Sequence, residues 1–70
     1  MKQSVAVVIN GEPKQVVAGA TLLEVLGELE LDPRTIVVEH NRRIVRRAGL
    51  GDVRVAAGDT IELVHFVGGG

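Results

Sequence analysis

Apolar and polar residues follow different rhythms along this chain, and each rhythm predicts a different element. Residues 5–9, Val-Ala-Val-Val-Ile, are a β-branched run of the kind strands favour. Asn10-Gly11 follows, a dipeptide suited to a type I′ turn because both central residues need positive φ. Residues 12–17 then read as the return strand of a hairpin. Pro13 has no N–H to give a ladder, so this strand starts there or lies at an edge. After a break at Ala18-Gly19-Ala20 the period changes. Leu22, Val25, Leu26 and Leu29 recur at i, i+3, i+4 and i+7, one apolar helix face that Leu23 widens, with Glu24, Glu28 and Glu30 outside it. Thr21 is the expected N-cap, and Glu24 three residues on completes a capping box. Gly27 costs about 1 kcal/mol relative to Ala inside a helix, which predicts close packing there. Asp32-Pro33 is expected to end the helix, since a residue before proline avoids the α region.

Strand character returns at residues 36–40. Asn41 marks a turn, and Ile44-Val45 form a short strand after it. Leu50, Val53 and Val55 cover the core edge, separated by the turn pair Gly51-Asp52, and Ala57-Gly58-Asp59 turns the chain into a last strand over residues 60–67. Side chains alternate along a strand, so Ile61, Leu63 and His65 share one face, and Glu62, Val64 and Phe66 the other. The order is hairpin, crossover helix, strand, short strand, strand. This is an α+β layer pair, in which one helix covers one sheet face and the opposite face stays in water. The last strand is expected beside the first in mid-sheet, with Ile61 and Leu63 toward the helix. The expected division is a domain over residues 1–67 and a tail over residues 68–70.

Composition narrows the function classes. Seventy residues make one small domain with a limited core, and 46% hydrophobic content argues against disorder. A net charge of −1 and a single aromatic residue, Phe66, offer neither general attraction nor a stacking platform for nucleic acid. No apolar run is long enough for a membrane span and no signal-peptide pattern opens the chain, so a cytoplasmic protein is expected. The absence of cysteine excludes a thiol nucleophile, a disulfide and a thiolate metal site, and the two histidines lie far apart in sequence. No nucleophile, base and orienter form a coherent set, and Asp52, Asp59 and His65 read as turn or surface residues.

The candidate chemistry lies at the other end. Phe66-Val67-Gly68-Gly69-Gly70 carries the last strand into bare glycines, which enter narrow slots and adopt backbone angles closed to other residues. Three extended residues reach on the order of 10 Å, enough to place the Gly70 carboxylate inside another protein's active site. Val64, Phe66 and Val67 beside that tail are expected to form a docking patch on the open sheet face. Arg42, Arg43 and Arg47 form either a solvated hairpin or a charged rim that speeds encounter.

Ile9-Asn10-Gly11, Thr21-Leu22-Leu23, Val38-Glu39-His40-Asn41, Ile44-Val45, the run Gly58-Asp59-Thr60-Ile61-Glu62-Leu63-Val64 and the closing Gly68-Gly69-Gly70 resemble, in order and spacing, the ThiS-like sulfur carriers of the β-grasp, ubiquitin-like superfamily. Arg46 departs from the pattern, because relatives often have a proline before the arginine that Arg47 matches. The resemblance implies a β-grasp fold, a mixed sheet of four to five strands with one main helix on one face. It implies a protein co-substrate rather than an enzyme, with no bound cofactor. A ThiF-like adenylating enzyme would use ATP and Mg²⁺ to activate Gly70, and a cysteine persulfide donor would leave a thiocarboxylate. A ThiG-like thiazole synthase would then take the sulfur for the thiazole of thiamine. The alternatives are a MoaD-like small subunit of molybdopterin synthase, another sulfur-carrier role, a β-grasp interaction domain and a ubiquitin-like modifier. Only Lys2 and Lys14 are available for chain building by a modifier.

Overall fold

The computed structural model describes residues 3–66. Two strands, β1 (Ser4–Ile9) and β2 (Glu12–Val17), form the opening hairpin. Its two-residue loop, Asn10 at φ 51° and Gly11 at φ 83°, has the two positive φ values of a type I′ turn. Pro13 of β2 faces Val8 of β1, and β2 is an edge strand of the sheet, where a missing donor costs little.

The helix α1 (Leu22–Glu28) begins at the expected cap. The Glu24 N–H donates to Thr21 Oγ1 at 3.1 Å, and the Thr21 N–H donates to the Glu24 carboxylate at 2.8 Å. Leu22, Val25 and Leu26 face the core, as their spacing predicts. The other end differs from expectation: the helix stops at Glu28, before Asp32-Pro33 is reached. The Leu31 N–H donates to the Leu26 carbonyl at 2.9 Å and the Glu30 N–H to the Gly27 carbonyl at 3.1 Å, with Glu30 left-handed at φ 59°. These are the paired bonds of a Schellman ending, which satisfies the last carbonyls and turns Leu31 back onto the core. Asp32-Pro33 instead opens a 3₁₀ turn, Pro33–Thr35. Gly27 is also not where the sequence implied a close approach, for a Cβ there would meet nothing within 4 Å.

Strands β3 (Ile36–His40) and β4 (Arg43–Val45) form a second hairpin through Asn41 and Arg42, at φ 49° and 70°. A 3₁₀ turn, Arg47–Asp52, then drops Leu50 into the core at 1% exposure. The residues read as a simple turn, Gly51-Asp52, are the end of this element. The last strand, β5 (Thr60–His65), is shorter than the expected 60–67, although the Phe66 N–H still donates to the Thr35 carbonyl at 3.2 Å.

The sheet order is β2-β1-β5-β3-β4, with β1 and β5 parallel and the other neighbours antiparallel. The last strand thus lies beside the first at the centre, as the sequence implied. Val7, Ile9, Val38 and Ile61 from the sheet meet Leu22, Val25 and Leu26 from the helix in one core, closed at its rim by Leu50 and Val55. No helix among the described residues is long and apolar enough to cross a membrane.

Candidate functional site

Strand alternation decides what the uncovered sheet face presents. Val38, Leu63 and Ile61 point to the helix side, so Val37 and Glu39 on β3 and Glu62 and Val64 on β5 point away from it. Val37 sits opposite Val64, and Glu39 opposite both Glu62 and Ile44. Phe66, two residues beyond Val64, continues the same side. The apolar members are open to solvent: Ile44 69%, Val64 57%, Phe66 50% and Val37 39% exposed. Val64 and Phe66 are therefore on the face and at the strand end where the sequence placed them. Glu62 shares this face, as the alternation of the last strand implied, while Val37, Ile44 and Glu39 lie on it too and were not singled out in the sequence. Reading period-two alternation across all three strands, rather than the last alone, would have found them.

The arginines are not gathered beside that strand end. β3 runs antiparallel to β5, with His40 facing Ile61 and Ile36 facing His65. Arg42 at the hairpin tip consequently lies at the opposite end of β5 from Phe66, and Arg43 pairs with His40 at that same end. Arg47 opens the 3₁₀ turn and lies near enough to Asp32 to affect it electrostatically. The Asp32 carboxyl is held below the usual carboxylate range, first by the Arg34 side chain, which contacts it at 2.9 Å. Arg34 thus stands on the turn that receives the Phe66 N–H, a position fixed by the Asp-Pro-Arg sequence through the Arg34 N–H bond to Asp32 at 2.9 Å. Arg42, Arg43 and Arg47 are all exposed. Val67, Gly68, Gly69 and Gly70 lie outside the described residues.

Two asparagines anchor β5. The Leu63 N–H donates to Asn10 Oδ1 at 2.7 Å, and Asn10 Nδ2 donates to the Leu63 carbonyl at 3.3 Å. At the start of the strand the Thr60 N–H donates to Asn41 Oδ1 at 2.9 Å. Next to it, His40 Nε2 lies 2.7 Å from Asp59 Oδ2, the two side chains 17% and 13% exposed. A carboxylate only accepts, so Nε2 carries the proton in this bond. Asp59 also accepts from the Ala56 N–H at 2.8 Å and from Asn41 Nδ2 at 3.2 Å. The pair therefore ties a turn to a hairpin instead of activating a nucleophile. Asp52 and His65 are exposed. Among the described residues no group of three or more His, Cys, Asp or Glu side chains is placed to hold a metal. At the opposite pole a shallow depression of about 310 Å³ lies between the helix start and residues 17–20, where Arg54 donates to the Gly19 carbonyl at 2.7 Å.

A five-stranded mixed sheet gripping one helix, with the final strand at its centre, defines a β-grasp domain that offers a sheet face and a strand end to other molecules. A family profile described as the ThiS family matches residues 7–70. The crystal structure of a thiamine biosynthesis protein (ThiS) from Geobacter metallireducens superposes with a TM-score of 0.83 at 28% identity, covering 94% of this chain and all of that one. The sulfur carrier protein ThiS of Bacillus subtilis is 36% identical over 71% of this chain and 76% of its own length. A thiazole synthase of Paramagnetospirillum magneticum is 44% identical over 90% of this chain, which spans only 19% of that protein's length. The chain belongs to the ThiS family.

Proposed function

We propose that this chain is a sulfur carrier in thiamine biosynthesis, acting as a co-substrate of other enzymes. The Gly70 carboxylate is the reactive group. A free carboxylate is a poor electrophile, so a ThiF-like enzyme joins it to AMP from ATP, with Mg²⁺, and pyrophosphate leaves. The outer sulfur of a cysteine persulfide then attacks the acyl carbon and expels AMP. Cleavage of the remaining S–S bond by a second thiol leaves the thiocarboxylate, which a ThiG-like thiazole synthase consumes. Glycine suits this chemistry because no side chain hinders approach to the carbonyl. The absence of cysteine keeps the transferred sulfur off the carrier's own side chains.

Family membership carries this reading, and the position of β5 supports it: the strand that leads to the glycines is the central one, paired on both sides and anchored at Thr60 and Leu63. The 44% identity to a stretch of a thiazole synthase supports that enzyme class as the sulfur acceptor. The test is intact mass after incubation with the adenylating enzyme, ATP and a persulfide source. Exchange of one oxygen for sulfur at Gly70 is expected. A chain extended beyond Gly70 should fold normally and take up no sulfur. Thiolation of that blocked chain would refute the assignment.

A further inference from the structure

The open sheet face holds an acid pair that the carrier chemistry does not use. Glu39 and Glu62 face each other directly across β3 and β5. Side chains so placed have Cβ atoms about 4.5–5.5 Å apart, and like charges there repel. Neither carboxylate has an ion-pair partner among the described residues, whose salt bridges are Arg34–Asp32 and His40–Asp59. Apolar side chains flank the pair on two sides, with polar Thr60 and Asn10 on the others. Ile44 lies on the far side of Glu39, while Val37 and Val64 form the next cross-strand row. Glu39 is itself half-buried.

This arrangement constrains whatever covers the face. A partner that buries Val37, Val64 and Phe66 also removes water from the two carboxylates. Burying charge without a counter-charge costs far more than such an apolar patch returns. A second copy docked about a two-fold axis through the pair would bring four carboxylates together, so this chain is a poor partner for itself here. We infer that the Glu39–Glu62 pair is the receptor for an arginine that the adenylating enzyme presents at the centre of its apolar contact with this face. A guanidinium is planar, permanently charged and forked, so one side chain can bond both carboxylates. Val37, Ile44, Val64 and Phe66 supply the apolar contact beside which such a bond is read. This inference rests on the carrier role proposed above, and it locates the specificity determinant in acids at the sheet centre rather than in the arginines of the β3–β4 hairpin.

The test uses the full chain and the cognate adenylating enzyme. Glu39→Gln with Glu62→Gln keeps shape and removes charge. Relief of the cross-strand repulsion should leave the fold intact, checked by thermal melting. Binding to the enzyme should weaken on the order of tenfold or more, with a flatter dependence on salt. The thiolation rate at saturating carrier should stay at the wild-type value, so that the loss is in KM. Paired Arg42→Gln and Arg43→Gln substitutions should move KM much less. Unchanged affinity and salt dependence in the double glutamine variant, while the wild type is thiolated, would overturn the inference alone. A wild-type chain that takes up no sulfur would instead overturn the carrier role.

Discussion

The carboxamide of Asn10 pairs with the backbone of Leu63 as a further strand residue would, accepting from its N–H at 2.7 Å and donating to its carbonyl at 3.3 Å. β1 must turn back at Asn10-Gly11, so its ladder to β5 ends with the Asn10 N–H bond to the Ile61 carbonyl at 2.9 Å. The side chain carries the pairing one step further, toward the strand end that leads to the glycines. Asn10→Gly keeps the positive φ and removes only this amide. The expected loss is about 1–2 kcal/mol in urea unfolding, with faster exchange of the Leu63 amide. Asn10→Asp, able to accept but not donate, should fall between the two.

Asp59 should set the acid limit of the fold. Burial pushes its carboxyl upward, but hydrogen bonds from His40, the Ala56 N–H and Asn41 outweigh this and hold it below the ordinary range. A depressed folded value means stability that is fully present above the unfolded value of about 3.9 and lost as pH falls through the folded one. Asp59→Asn should cost roughly 1–3 kcal/mol at neutral pH, because it weakens a carboxylate bonded to three donors. It should also flatten the stability profile below about pH 4, measured by denaturation at stepped pH.

The helix end offers two gains. Gly27 is exposed and unencumbered, so Gly27→Ala should stabilise by about 1 kcal/mol. Glu30 holds a left-handed conformation at φ 59° in the place where helices favour glycine, so Glu30→Gly should add a similar amount, on the order of 1 kcal/mol. Thermal melting of each single variant reads the effect. A loss in either would mean that the local geometry described for it is wrong.

Arg46 stands where the sequence resemblance implied a proline, and its backbone would accept one. Its φ of −69° and ψ of 153° are values a proline adopts, and it follows the extended residue Val45. Arg46→Pro should therefore stabilise by about 0.4–1 kcal/mol through the unfolded chain. Urea unfolding checks this, and a marked loss would show that the Arg46 N–H is needed.

Phe66 separates folding from docking. It is half exposed, so Phe66→Ala should change stability by no more than about 0.5 kcal/mol. Affinity for the adenylating enzyme should fall on the order of tenfold. Equal loss of stability and affinity would assign Phe66 to the core instead.

Much of this molecule follows from local chemistry. Asn10-Gly11 demands its turn, Thr21 and Glu24 demand their cap, and the spacing of Leu22, Val25 and Leu26 demands a buried helix face, because each depends on residues a few positions apart. The central place of β5 was also legible, since a hairpin followed by a crossover helix leaves its other side free for a parallel neighbour. What the chain order could not settle was register. Only the pairing of β5 with β3 sets Glu39 against Glu62 and moves Arg42 to the far end of the sheet from Phe66, and only its pairing with β1 brings Asn10 to Leu63. The helix ending differs for a local reason, the Glu30 and Leu31 bonds back to Gly27 and Leu26 that turn the chain onto the core before Pro33. Contacts between distant segments depend on how whole strands slide past one another, and no single stretch of sequence contains that information.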